Sequence, residues 1–440
     1  MTARLRSLVR TVFQRTPRAR ASALSLIEGL ARPLLLPFRL PRPRSATPAA
    51  LASMESQTDH LNAAAEQYFA AYPDPEHLLA KPFSEPEALS RRLIDLGVLI
   101  DGLRLEPGQT VLELGAGTAW ASHFLNRYGC RTIAVDVSPT ALALARTLFE
   151  GDPRTKWELK PEFVPYDGHT LPIGDATIDR VLIYDAYHHL PNPPRVLQEL
   201  RRVLKPDGIV AMSEPGRGHT ESASSHTEAA TGVLEAELVL EDIADLAIAG
   251  GFTAAKVIIA SDVPLMEVDA HDLRPFMGGR GFATYWKRLC AQLDGHHYIL
   301  LFAGDPQPTT RQPKRLRAEI RRVDQSGALA IARGQPVTAT FEIFNAGDTV
   351  WLHQPNASGW TRFGAHLYRG DAARTLVDFD WLRTALPQDV APGGTIRLTV
   401  PLPAIMDPGQ YVIVADLVIE GKAWFADRGS IAPDIPCRVE

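Results

Sequence analysis

The residues best suited to chemistry lie in VLELGAGTAW, residues 111–120, where an apolar run meets two glycines one residue apart. A glycine turn after a strand brings backbone N–H groups and a helix N-terminus against an anionic or polar ligand, and a Cβ would block that approach. A dinucleotide turn wants G-x-G-x-x-G, whose third glycine lets helix and strand pack closely. Here that place is Trp120, and an indole argues against a pyrophosphate. Asp136 ends a second apolar run, where a carboxylate accepts hydrogen bonds from both hydroxyls of a ribose. Asp167, after a third run, suits the exocyclic amine of an adenine, and Glu113, at the end of the first, suits an ammonium group. Together these features ask for a nucleoside that carries an amino acid.

Such groups need strands to carry them to one edge. Helical patterns at 61–72 and 86–103 lead into a strand at 110–114, the glycine turn and a helix at 120–128. A strand at 132–137 precedes Ser138-Pro139-Thr140, which reads as an N-cap followed by proline in the first helical turn. Further strands are expected at 163–166, 180–184, 208–213, 254–259 and 298–303, with helices between several of them. The alternation predicts a doubly wound α/β fold.

VLELGAGTAW, the acid in AVDVS (134–138), YDGHTLPIGDATIDRVLIYDAYHHL (166–190) and ELRRVLKPDGIVAMSEPG (199–216) resemble, in order, the motifs of class I S-adenosylmethionine-dependent methyltransferases. The resemblance implies a Rossmann-like domain over residues 59–305 with S-adenosylmethionine as cofactor. It implies that Gly115, Ala116 and Gly117 shape the turn around the methionine part, with Glu113 beside it. Asp136 and Val137 would hold the ribose, Asp167 and Gly168 would frame the adenine, and Asp185 would lie near the transferable methyl. The family's E/D-x-G-x-G-x-G has Ala119 at its last glycine, so a tighter turn is expected there.

Methyl transfer to a hydroxyl asks the protein to align nucleophile and methyl and to remove a proton. His188 and His189 are the candidate bases, since histidine titrates near neutrality and the loop after the fourth strand faces the cofactor cleft. The other reading of the pair is loop packing; relatives of this kind carry two histidines there whatever their substrate. Asp185 and His219 are the next candidates.

After residue 305 the texture changes. Residues 306–315 read as a Pro-rich linker, and residues 316–440 alternate with period two: Val337, Ala339, Phe341 and Ile343 share a face, as do Ile396, Leu398, Val400 and Leu402. This predicts an all-β sandwich. FNAGDTVW, GAHLY, LPQDVAPGG and DPGQYVIVADLVIEGKAWF resemble immunoglobulin-like modules appended to proteins of surface-glycan assembly. The resemblance implies a carbohydrate ligand, with Trp351, Trp360, Trp381 and Trp424 offering faces to sugar rings or filling the core.

Residues 1–45 hold ten arginines against one acid, Glu28, a local charge of +9; the rest of the chain carries −14 against a total of −5. The acidic body disfavours nucleic-acid binding. Leu5, Leu8, Val9, Val12 and Phe13 fall on one helical face flanked by arginines, the pattern of a helix on an anionic membrane surface, of a solvated basic tail, or of a transit peptide. Prolines 33, 37, 41, 43 and 48 then predict a flexible connector to about residue 58. The three cysteines form no C-x-x-C pair, so neither a disulfide framework nor a metal site is expected. The function expected is O-methylation of a glycan or glycolipid at the inner face of a membrane, by a cytoplasmic enzyme peripheral to it. The alternatives are a methyltransferase of a diffusible small molecule, with the sandwich as a docking module, and a non-catalytic glycan-binding scaffold. The sequence leaves the oligomeric state open.

Overall fold

Seven strands form the sheet that carries the motifs: β1 (Thr110–Leu114), β2 (Arg131–Asp136), β3 (Glu162–Pro165), β4 (Ile178–Tyr184), β5 (Leu204–Pro215), β6 (Ala254–Val257) and β7 (His296–Phe302). The structure is a computed structural model and describes residues 47–260, 270, 273–277, 279, 282–304, 307–324, 327–355 and 359–440. The basic arm to residue 46, with its expected amphipathic helix and membrane contact, lies outside those residues. Among the described residues no helix is long and apolar enough to cross a membrane.

The strand order is β3-β2-β1-β4-β5-β7-β6. β1 to β5 pair in parallel, whereas β7 runs antiparallel to both β5 and β6. Successive residues of β1 go to opposite faces, as the period of a strand requires. Leu112 and Leu114 pack with Leu197, Leu200 and Ile243 from the helices Pro193–Val203 and Leu240–Ala249, while Val111 packs with Leu96, Leu99 and Leu125 from the helices Pro86–Gly102 and Trp120–Tyr128. With both faces covered, the parallel strands read as continuous apolar runs. The order reverses between β1 and β4, which opens a crevice at their carboxyl ends.

The connector expected before residue 58 is partly helix. Pro48–Glu55 is helical because Thr47 caps it, its hydroxyl accepting from Ala50 N–H at 3.2 Å, and Pro48 takes the first turn, where it starts a helix rather than breaking one.

The remaining strands, β8 (Ala318–Arg322), β9 (Leu329–Ile331), β10 (Val337–Asn345), β11 (Thr361–Arg369), β12 (Leu376–Ala385), β13 (Thr395–Leu402), β14 (Gly409–Ile419), β15 (Ala423–Trp424) and β16 (Asp434–Val439), make two sheets, β13-β10-β8 and β12-β11-β14-β16-β9, with β15 on β14. Their inner faces share one core, to which Ala339, Phe341, Ile343, Ile396, Val400 and Leu402 contribute, with Leu398 partly buried against it. Trp351, Trp381 and Trp424 are buried, and Arg362 lies over the half-buried Trp360 ring at 5.0 Å. Of the two roles open to these indoles, Trp351 and Trp381 take the core one, whereas Trp424 packs outside the shared core against His366, Phe379 and Arg383. The segment read as a Pro-rich linker is held in place: Thr310 donates to Gly359 O at 2.6 Å, Gln312 donates to Asp101 O at 3.0 Å, and Arg311 pairs with Glu106 at 3.2 Å.

Candidate active site

The glycine turn at the carboxyl end of β1 is built on left-handed backbone. Gly115 has φ 67° and Gly117 φ 52°, and a Cβ on Gly115 would stand 2.5 Å from the Cβ of Ala186. Ala119 is also left-handed, with φ 53°. The tighter turn expected there is instead a glycine-like backbone held by an alanine, at a cost of about 1 kcal/mol.

Asp136 locks this turn from β2. Its Oδ2 accepts from Gly117 N–H at 2.7 Å and its Oδ1 from Ser138 N–H at 2.8 Å. Burial raises its carboxyl above the usual range, against the lowering effect of those two N–H groups. Ser138 in turn caps the helix Pro139–Gly151, accepting from Ala141 N–H at 3.0 Å. From the helix Thr58–Ala70, Glu66 takes the hydroxyls of Ser138 and Thr140 at 2.5 and 2.6 Å, and Asn62 donates to Asp167 O at 3.0 Å. That helix thereby roofs a cavity whose wall includes Gly115, Ala116, Gly117, Asp136, Val137 and Gly168. Tyr166 and Asn192 line it too, and the Tyr166 hydroxyl and Asn192 Oδ1 are buried without a hydrogen-bond partner.

Two expected site acids do not line the cavity. Glu113 is 3% exposed beneath the turn, where its carboxylate accepts from Ser122 N–H at 2.8 Å; burial pushes its pKa up to about 7. The carboxylate thereby holds the first turn of the helix Trp120–Tyr128. Asp167 is exposed and folds onto its own turn, accepting from His169 and Thr170 N–H at 2.7 and 2.8 Å. A short acid at a strand end meets local N–H groups before it meets a ligand, so Gly168 and Tyr166 border the cavity in its stead.

Asp185 follows β4 in a left-handed conformation, φ 53°, with its N–H on Ser213 O at 2.8 Å. With Arg92 and Tyr184 it borders both the first cavity and a second one lined by Arg91, Asp95, Ser213 and His296. Asp95, almost fully buried, accepts from Tyr298, Arg91 and Tyr184 at 2.6, 2.6 and 3.1 Å. His296 shares a 2.9 Å hydrogen bond with Ser213, and burial lowers its pKa to about 3. A strained non-glycine backbone at a junction of cavities is a frequent mark of a functional site.

The two histidines separate. His188 is 2% exposed, does not line the first cavity, and gives Nδ1–H to the buried Glu214 at 2.8 Å. His189 lines the cavity, with Nδ1 2.7 Å from Leu234 O and 3.1 Å from Glu235, and Nε2 3.7 Å from Glu228. Burial opposes its charge, but Glu235 and the Leu234 carbonyl outweigh burial and raise it to about 9. His219 sits outside the cavity wall, 2.7 Å from Glu235. Sequence reasoning missed Asn62, Glu66, Asn192 and Glu235, whose spacing carries no motif, and gave no role to Tyr166, which opens the 166–190 motif.

Residues 112–212 match the family model described as methyltransferase domain. The matched segment carries the ends of β1, β2 and β4 and the turns after them that line the first cavity, while Asn62, Phe69 and Leu234 line it from outside that segment. The chain is similar to demethylmenaquinone methyltransferase of Clavibacter sepedonicus, 36% identical over 24% of this chain and 41% of that protein. It is also similar to malonyl-[acyl-carrier protein] O-methyltransferase of Halorhodospira halophila, 33% identical over 31% of this chain and 45% of that protein. The chain thus spans less than half the length of these two curated relatives. Among solved structures, phosphoethanolamine N-methyltransferase 2 of Haemonchus contortus, in complex with phosphomonomethylethanolamine and S-adenosylhomocysteine, is 22% identical, with a TM-score of 0.38 over 55% of this chain and 59% of that one.

Proposed function

We propose that the chain is an S-adenosylmethionine-dependent methyltransferase acting on a hydroxyl acceptor. The observation that carries this reading is the convergence of the left-handed glycine turn, Asp136, Gly168 and Asp185 on one cavity of the methyltransferase domain. The cofactor is S-adenosylmethionine, and the cavity fits it. The glycines leave room for close approach, and the unpartnered Tyr166 hydroxyl and Asn192 Oδ1 await a polar ligand. When bound, the cofactor supplies a methyl already activated on a sulfonium sulfur.

Asp136 is pre-aimed by Gly117 and Ser138, so each oxygen keeps a lone pair for a ribose hydroxyl. The helix Thr58–Ala70 covers the cavity and limits water. Of the three side chains bordering both cavities, Arg92 cannot take a proton and the Tyr184 hydroxyl is committed to Asp95. Asp185 is therefore the group set to accept the acceptor's hydrogen bond and proton as the new C–O bond forms. His189, whose Nδ1 and Nε2 face Leu234 and Glu228, lines the same cavity as a positioning residue.

The acceptor proposed is a glycan or glycolipid at a membrane surface, on the strength of the +9 arm. The β-region is read as an immunoglobulin-like module, supported by its two sheets around one core. A diffusible small acceptor is the second reading, favoured by the packing of Trp351 and Trp381 into the sandwich core. The test incubates full-length protein and methyl-labelled cofactor with a membrane glycolipid extract and, separately, with a soluble metabolite extract. Label in the lipid fraction supports the first acceptor class and label in the soluble fraction the second, whereas none in either contradicts the enzyme reading.

A further inference from the structure

Behind the His189 wall, three side chains from separate segments converge. His188 follows β4, His219 follows β5, and Glu235 precedes the helix Leu240–Ala249. One ring nitrogen from each histidine and one carboxylate oxygen of Glu235 lie within 4.8 Å of one another. His219 Nε2 stands 2.7 Å from Glu235 Oε2. Yet neither this nitrogen nor either Glu235 oxygen has a hydrogen bond of acceptable geometry, although all three atoms are buried. His189 Nδ1 also stands 3.1 Å from Glu235, so these buried polar atoms are crowded together in close ion pairs without well-aligned hydrogen bonds, an arrangement that is costly and uncommon.

Glu214 adds an independent observation. Its fully buried carboxylate accepts Nδ1–H of His188 at 2.8 Å while Ala186 and Tyr187 N–H hold it in place at 3.0 and 2.8 Å. This fixes the tautomer and leaves the His188 lone pair on Nε2. A carboxylate behind an imidazole is the arrangement that orients histidine ligands toward a metal and raises their basicity.

We propose that His188, His219 and Glu235 bind one divalent first-row transition-metal ion. Two imidazoles and a carboxylate suit Zn²⁺, Mn²⁺ or Fe²⁺, while Mg²⁺ and Ca²⁺ favour oxygen ligands throughout. Three protein ligands leave a position open to an oxygen donor. The His188 and His189 rings lie 3.9 Å apart between centroids, and His189, Leu234 and Glu228 line the first cavity. The ion would therefore tie together the segments that shape one wall of that cavity. This inference stands on its own donor atoms and does not depend on the methyl-transfer reading.

The test strips full-length protein with a chelator, reloads it with Zn²⁺, Mn²⁺ or Co²⁺, desalts it and counts metal by inductively coupled plasma mass spectrometry. The wild type and His226→Ala, an exposed histidine outside the cluster, should each retain about one ion per chain, and the Co²⁺ form should show visible ligand-field absorption. Glu235→Gln and His219→Ala should lose both signals while keeping the wild-type circular dichroism, and Glu214→Gln should bind about 10- to 100-fold more weakly. Substoichiometric metal in the wild type, or equal metal in wild type and ligand variants, marks adventitious binding only and overturns the proposal. S-adenosylhomocysteine titrations of the same samples report separately on the cofactor reading.

Discussion

Glu113, Asp136 and Glu214 in the α/β region and Asp416 in the β-region are all buried carboxylates that hold backbone N–H groups. What they hold differs. Asp136 fixes the glycine turn and Glu214 the turn carrying the histidines, both at the rim of one cavity. Asp416 instead ties Leu417 and Ala426 N–H, at 2.7 and 3.1 Å, within the strand framework, as Asn345 ties Thr349 and Val390 carbonyls. Burial of a charged group alone therefore does not mark a site. A site is marked when the held backbone borders a cavity, here with Asp185 in strained backbone and polar atoms without partners.

The sharpest contrast between the regions comes from two glycines. An added Cβ on Gly115 meets Ala186 and adopts φ 67°, and one on Gly364 meets the Trp424 ring. Gly115→Ala should cost about 2–4 kcal/mol and abolish measurable cofactor binding, while Gly364→Ala should cost about 1–3 kcal/mol and leave cofactor affinity unchanged. Denaturant unfolding and calorimetry would check the pair, and equal effects on affinity would break the comparison.

The two regions should also differ in their pH windows. Burial raises Glu113 from 4.5 to about 7 and Asp416 from 3.8 to about 6. Raised carboxyls favour the protonated folded state, so the stability each contributes is full below its unfolded value and is lost as pH rises through its folded one. Relative to wild type, Glu113→Gln should remove a loss of up to about 3 kcal/mol between about pH 4.5 and 7. Asp416→Asn should remove a somewhat smaller loss between about pH 3.8 and 6. Unfolding curves at several pH values would show it, and a wild-type-minus-variant difference flat with pH would refute the burial argument.

The regular elements were legible because each signal is local. The helix Trp120–Tyr128, the Ser138 cap and the period-two faces of β10 and β13 lie where the pattern puts them. Pro48 misled because proline breaks a helix interior but opens a first turn, and only the Thr47 side chain decides which. Gly115, Asp136, Gly168 and Asp185 were readable as residues at strand ends and border the first cavity, whereas Glu113 and Asp167 turned to nearby N–H groups. Asn62, Glu66, Asn192 and Glu235 reach the cavity or its wall through tertiary packing, which leaves no spacing to read.

The central claim is that the cavity at the glycine turn is an S-adenosylmethionine site organised by Asp136. Calorimetric titration of full-length protein and Asp136→Ala with S-adenosylhomocysteine tests it most directly. The account predicts one site per chain in the wild type and binding weaker by about 1.5–3 kcal/mol, roughly 10- to 150-fold, in the variant. No binding to the wild type, or equal affinity in the two proteins, would contradict it.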